Sequence, residues 1–172
     1  MVVPTQAGDL DPVALETALM QTWSYENTFA QSIEERRDGA SPFTFLEGPP
    51  TANGKPGIHH VISRLFKDLV CRWKTMEGHI VERKAGWDTH GLPVEIEVQK
   101  QLDLMSNEAI EAFGMEAFNQ KCKESVWTYE QAWREMTERM GFWVDMDDPY
   151  VTLHDDFIES AWWSLKQMFD KG

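Results

Sequence analysis

The stretch 43-FTFLEGPPTANGKPGIHHVISRLFKDLVCRWKTMEGHIVERKAGW-87 carries the fold. Its first five residues, 43–47, are rich in β-formers and alternate briefly, so they predict a strand. Three prolines and three glycines crowd into Gly48 to Gly57 and make a stiff, bare loop. After it Ile58, Val61, Ile62, Leu65, Phe66, Leu69, Val70, Trp73 and Met76 recur at helical spacing. Gly78 stops that helix, and residues 79–87 read as a second strand running into a loop. Strand, glycine-rich turn, long helix and strand make one βαβ unit, the building block of parallel sheets with right-handed crossovers.

Outward from this unit the chain is mostly helical. Asp11-Pro12 predicts a capped helix start, with helix continuing to about residue 37, a break near Ser24 and a stop at Asp38-Gly39. The first ten residues read as loose chain. Beyond Pro93, residues 94–104 and 106–113 predict two short helices, the second capped by Ser106 and stopped by Gly114. From Met115 to Met140 apolar residues step by three or four along one narrow stripe, and this stripe is expected in the core. A short strand at 142–144 and an acidic turn at 145–149 are expected next. The last helix, about 156–170, is expected to face Ile158, Ala161, Trp162, Leu165, Met168 and Phe169 inward, with Trp163 as cover. With two clear strands and one short one, the sheet reads as incomplete for a doubly wound domain.

The loop at 48–57 has a physical use. A helix start has backbone N–H groups without partners and the positive end of the helix dipole, so it attracts anions. Glycines let a phosphate come close, prolines fix the path, and His59 and His60 offer donors without a permanent charge. Lys55 adds a point charge or is merely solvated. The competing reading is a tight turn whose glycines serve sterics alone, but a structural cap would favour Ser, Thr, Asp or Asn over a histidine pair. The loop is neither a Walker A nor a Gly-x-Gly-x-x-Gly loop. A second constellation, 86-GWDTHGLPVE-95, lies just past the second strand, the end of a parallel sheet where ligands collect. There Asp88 could hold an amino group or cap a turn, and His90 could touch a ligand or pack against the backbone. His59, His60, His79, His90, Glu47 and Asp88 could be imagined around a metal. The adjacent helical pair His59-His60 diverges by about 100°, which argues against one.

Totals set outer limits. The chain has 172 residues, enough for one domain or a domain with a short appendage. Its 29 acids against 16 bases give a formal charge of -13, which argues against a broad basic face gripping nucleic acid. Cys71 and Cys122 form neither a disulfide framework nor a metal spacing, which fits a reducing compartment. The opening MVVPTQAGDL lacks the pattern of a signal peptide, and no apolar run approaches membrane-spanning length. A cytoplasmic location without membrane contact is the expectation.

The segments 45–79 and 83–100 together resemble the start of the isoleucyl-tRNA synthetases, a family of class I aminoacyl-tRNA synthetases. The likeness extends from about Thr22 to Gly172, through 119-NQKCKESVWTYEQAWREMTERMGFWVDM-146 and 158-IESAWWSLKQMFDKG-172. Within the class, 86-GWDTHGLPVE-95 favours isoleucine. The resemblance implies an α/β fold: the helix-rich N-terminal half of a Rossmann-like nucleotide-binding catalytic domain with an incomplete parallel sheet. Residues 41–172 would be that half and residues 1–40 a helical extension. It implies ATP, with Mg2+, as cofactor, and activation of L-isoleucine to isoleucyl-adenylate followed by transfer to tRNA(Ile).

By position, ATP would meet Pro50, Thr51, Asn53, Gly54, Gly57, Ile58, His59 and His60, with His60 and His59 as the catalytic pair. Pro49, Asp88 and His90 would line the amino-acid site, with Pro49 shaping the side-chain pocket and Asp88 binding the α-amino group. One departure stands out. The family signature His-Ile-Gly-His reads 57-GIHH-60 here, so glycine and histidine have exchanged places at 57 and 59. The family's Lys-Met-Ser-Lys-Ser loop, editing domain and anticodon-binding helices are not found in these residues. The resemblance therefore implies an N-terminal piece that works with the remainder of a synthetase chain and charges tRNA negligibly alone. The alternative is a truncated, non-catalytic binding module derived from a synthetase.

Overall fold

The computed structural model describes residues 11–51 and 53–172. The reading of the first ten residues lies outside them. The chain divides into two compact units, one of residues up to 43 with 72–82, the other of 44–71 with 83–172.

In the first unit, helix α1 (Pro12–Tyr25) starts as its sequence dictates. The Asp11 carboxylate accepts from the N–H groups of Val13 and Ala14 at 3.0 and 3.1 Å, with Pro12 in the first turn. The break comes at Asn27, in left-handed backbone (φ 53°), before α2 (Thr28–Glu34). Arg36 Nε donates to the Thr75 carbonyl at 3.2 Å, and the Arg72 guanidinium lies 4.9 Å from the Trp23 ring.

The second unit holds a parallel sheet in the order β1 (Phe45–Leu46), β2 (Arg83–Trp87), β3 (Asp145–Val151). Helix α3 (Ile58–Met76) joins β1 to β2, completing the expected βαβ unit. Helices α4 (Leu92–Leu102), α5 (Asn107–Phe113) and α6 (Met115–Arg139) lie between β2 and β3 in the chain, and α7 (Asp155–Lys171) follows. Ser106 caps α5 by accepting from Ala109 N–H at 3.2 Å, as expected. Trp87, Trp133 and Val151 pack together where the sheet meets α6, and Val98, Ile110 and Phe118 join α4, α5 and α6. No helix of the described residues is long and apolar enough to cross a membrane.

Two expectations need correction. The third strand is not 142–144 but Asp145–Val151. Phe142 and Val144 instead pack with Ala85 in the core. From Lys84↔Asp145 to Gly86↔Tyr150 the ladder advances two residues on β2 and five on β3, so the acidic run bulges within a strand. Its aspartates are exposed to solvent; Lys84 Nζ lies 2.6 Å from Asp148, and Asp145 accepts from the N–H groups of Asp147 and Asp148. Second, α7 buries no residue: Trp162 is 67 % and Phe169 86 % exposed. In α3 the buried stripe is largely polar: Arg64, Asp68 and Thr75, with Cys71. Ile62, Leu65, Phe66, Leu69 and Trp73 are exposed. Asp68 accepts from Arg83 at 3.1 Å and from Trp143 N–H at 3.3 Å, so the buried charges are paired.

Candidate functional site

The two sequence constellations meet at the carboxyl ends of β1 and β2. Past β1 the loop runs through Pro49-Pro50 and rejoins β2 at an isolated bridge, Thr51↔Asp88. Asp88 N–H donates to the Pro50 carbonyl at 3.0 Å, and the Thr51 hydroxyl donates to Asp88 Oδ2 at 3.1 Å. Between Leu46↔Lys84 and Thr51↔Asp88 the loop takes five steps against four on β2, which gives the prolines room to arch. Farther on, Asn53 Nδ2 donates to the Pro93 carbonyl at 3.4 Å, and Gly54 offers its carbonyl to Trp133 Nε1 at 2.9 Å. The loop is thus tied to α4 and α6, while Lys55 is exposed.

Helix α3 begins at Ile58, so His59 and His60 stand in its first turn. His60 Nδ1 accepts from the Gly57 N–H at 2.9 Å. A neutral imidazole accepting at Nδ1 carries its proton on Nε2, so His60 presents one donor outward. The ring stands edge-on to Trp133, centroids 4.6 Å apart. Burial pushes its pKa below the usual histidine value, with the charges of His59 and Arg64 adding to the effect.

The exchange at 57 and 59 has a steric explanation. A Cβ at Gly57 would lie 3.0 Å from His59 Cε1 and 3.1 Å from its Nδ1. The His59 ring has folded back into the space a side chain at 57 would take, 3.8 Å centroid to centroid from His60. Glycine at 57 makes room for it.

A cavity of about 280 Å³ opens between the loop and α3, lined by Glu47, Gly48, Pro49, Pro50, Thr51, His60, Ser63, Arg64, Lys67 and Trp133. Gly57, Ile58, His59, Asp88 and His90 are not among its walls. Asp88 stands beside it through Thr51. His90 is exposed and held at Nδ1 by the Thr152 hydroxyl, 2.7 Å away. Thr152 also accepts from Thr89 N–H at 3.0 Å. Among the described residues no group of three His, Cys, Asp or Glu side chains could hold a metal ion.

Arg64 and Lys67 were not singled out from the sequence, and Glu47 only as a conceivable metal neighbour. Glu47, 2 % exposed, has one carboxylate oxygen on Lys67 and the other without a partner. Arg64 reaches Thr137 of α6, and its guanidinium lies 5.2 Å from the Trp133 ring. Burial lowers its pKa, countered by Glu47. Lys67 also holds the Gly48 carbonyl at 3.3 Å. The signal of Arg64 and Lys67 is present in the sequence as polar residues at helical spacing on α3, beside the more conspicuous apolar stripe.

Residues 18–172 match the family described as tRNA synthetases class I (I, L, M and V). Isoleucine--tRNA ligase 2 of Bacillus cereus is 56 % identical over 160 residues, covering 93 % of this chain and 15 % of that protein. The isoleucine--tRNA ligases of Dehalococcoides mccartyi and Clostridium kluyveri are 52 % and 54 % identical over 158 and 159 residues. The chain thus spans about a sixth of the length of these curated relatives. Among solved structures, the LeuRS of a LeuRS–tRNA–LeuAMS ternary complex from Agrobacterium radiobacter shares the fold. Its TM-score is 0.58 at 19 % identity, over 91 % of this chain and 17 % of that one.

Proposed function

The chain belongs to the class I tRNA synthetases, and from that premise we propose that it serves isoleucine--tRNA ligation as the first half of the catalytic domain. In this reading residues 41–172 are that half, residues 1–40 an N-terminal extension, and the reaction is ATP-dependent formation of isoleucyl-adenylate with transfer to tRNA(Ile). The observation that carries the proposal is the junction Pro50–Thr51–Asp88. It sets the Asp88 carboxylate beside a bare loop that leads to a helix start.

The chemistry follows from what these groups can do. The carboxylate of isoleucine attacks the α-phosphorus of ATP and pyrophosphate leaves. Such a step gains most from alignment of the reactants and from donors placed where negative charge develops. Asp88 would hold the substrate ammonium by a charge-assisted bond, and Pro49 would shape the apolar pocket, with His90 at its margin. Pro50, Thr51, Asn53, Gly54, Gly57 and Ile58 would let the nucleotide approach the backbone. His60 would donate from Nε2 to a phosphate oxygen, kept neutral by its surroundings, and His59 would assist from the exchanged position. Magnesium would arrive with ATP as part of the substrate complex. The described residues offer no resident site for it, and no step here runs through it.

The remainder of a synthetase chain is the proposed partner. The exposed apolar stripe of α3, from Ile58 to Met76, gives such a partner a surface to cover.

The test is a transplant. Residues 11–172 replace the matching segment of the Bacillus cereus relative, and isoleucine-dependent ATP–pyrophosphate exchange is measured. Exchange with isoleucine, lost or strongly weakened in His60→Ala, is expected. Asp88→Asn should raise the KM for isoleucine more than that for ATP. A folded transplant without isoleucine-dependent exchange would overturn the reading.

A further inference from the structure

Tyr150 sits on β3 as the register partner of Gly86 in central strand β2. Its ring lies across that glycine. A Cβ at Gly86 would stand 2.8 Å from Tyr150 Cε2 and nearer still to Cζ, so no side chain larger than hydrogen leaves the ring in place. Beyond Gly86 the phenol O–H donates to the carbonyl of Glu47. Glu47 is the first residue past β1 and directly precedes Gly48-Pro49-Pro50. One side chain therefore links the two outer strands over the middle one.

The hydroxyl is suited to the task. Burial, with Glu47 and Asp88 nearby, pushes its pKa up, so it keeps the proton it donates. The ring also stacks on Phe157 of α7, centroids 6.0 Å apart and planes within 10°. From the α3 side, Lys67 bonds the Gly48 carbonyl and the Glu47 carboxylate. Residues 47 and 48 are thus gripped from two directions, just before the chain arches over to meet Asp88.

We propose that Tyr150 is a positioning residue: seated on Gly86, it straps the end of β1 and fixes where Pro49 and Pro50 stand against Asp88. The strap's role in catalysis rests on the reading of this loop and Asp88 as the amino-acid and ATP site. The strap itself does not.

The decisive variant is Tyr150→Phe, which keeps the ring and removes the donor. In the 172-residue chain, amide hydrogen exchange in residues 44–51 should accelerate roughly three- to tenfold, the worth of one hydrogen bond, while β2 and α6 keep their protection. Gly86→Ala, which displaces the ring, should produce the same local loosening. Unchanged exchange in 44–51 with Tyr150→Phe overturns the proposal, as does acceleration spread evenly over all three strands and α6. In the transplanted enzyme, Tyr150→Phe should raise the KM for isoleucine by a similar factor with kcat retained. A fall in kcat at constant KM would mark a purely structural residue and count against the proposal. If the transplant carries no isoleucine-dependent exchange at all, the catalytic reading fails, and the strap is judged by hydrogen exchange alone.

Discussion

Trp133→Phe tests whether a residue read from sequence as core packing also holds the phosphate-facing loop. Trp133 is 2 % exposed and packs with Trp87 and Val151. Its indole N–H donates to the Gly54 carbonyl at 2.9 Å, its ring meets His60 edge-on, and Arg64 lies over it at 5.2 Å. Phenylalanine keeps an aromatic ring but loses the donor. One lost hydrogen bond costs about 1 kcal/mol. Trp→Ala at such a site costs about 3–5 kcal/mol, and Phe retains most of the volume, so the void adds about 1 kcal/mol. A weaker cation–π contact adds about 0.5 kcal/mol. The expected loss is roughly 2–3 kcal/mol, read from urea unfolding followed by far-ultraviolet circular dichroism at 25 °C. Trp127→Phe is the control: that residue is 42 % exposed, and its change should stay within about 0.5 kcal/mol. The variant should also speed amide exchange around Gly54. If Trp133→Phe matches the control, neither the packing nor the loop tether has the weight assigned to it.

Three further outcomes are expected. The His60 pKa is lowered in the folded chain, chiefly by burial. The unfolded chain therefore binds more protons between the folded value and the ordinary one near 6.5. That contribution leaves stability unaffected above about pH 6.5 and lowers it as pH falls through this window. Urea midpoints at pH 7.5 and 5.5 should show the drop shrinking in His60→Gln, and an equal drop in both proteins would refute the assignment. Asp68→Ala should cost about 3–5 kcal/mol because it leaves the fully buried Arg83 side chain without its carboxylate. A loss below about 1 kcal/mol in the same unfolding assay would mean the pair is not buried as described. On α7, Trp162→Ser with Phe169→Ser should change stability by less than about 0.5 kcal/mol each. A loss of several kcal/mol would show that these rings are core in the chain as it stands.

Much of the fold was legible because its signals are local. Asp11-Pro12, Ser106 and Gly114 mark helix ends through bonds and dihedrals that involve only residues a few positions away. The βαβ unit followed from glycines and prolines between a β-rich run and a run of helical period. Asp88 and the 48–60 loop were legible as separate candidates. That Thr51 would bond Asp88 was not, since 37 residues separate them. The exchange at 57 and 59 was visible as an anomaly, but its cause needed the His59 ring in place.

The misreading of α7 has a physical origin that α3 also shows. Hydrophobic period reports that a stripe exists, not that something within the chain covers it. In α3 the polar stripe Arg64, Asp68, Cys71 and Thr75 has the same period as the apolar one, and it is the polar stripe that the sheet and α6 receive. In α7 no residue is buried, and beyond Phe157 the apolar residues Ile158, Trp162, Leu165, Met168 and Phe169 are exposed. The acidic run at 145–149 carried a turn signal but forms part of a strand with a register irregularity, its aspartates facing solvent.

Sequence alone determined the order of elements, the loop's stiffness and bareness, and the donor types at the start of α3, since these depend on neighbouring backbone angles and side-chain chemistry. Tertiary structure decided which stripe of each helix is buried, which strand end meets which loop, and that Tyr150, Trp133 and Thr152 reach the site from distant parts of the chain. Those outcomes depend on contacts between residues far apart in sequence, whose pairing is settled only when buried charges find partners and rings find room.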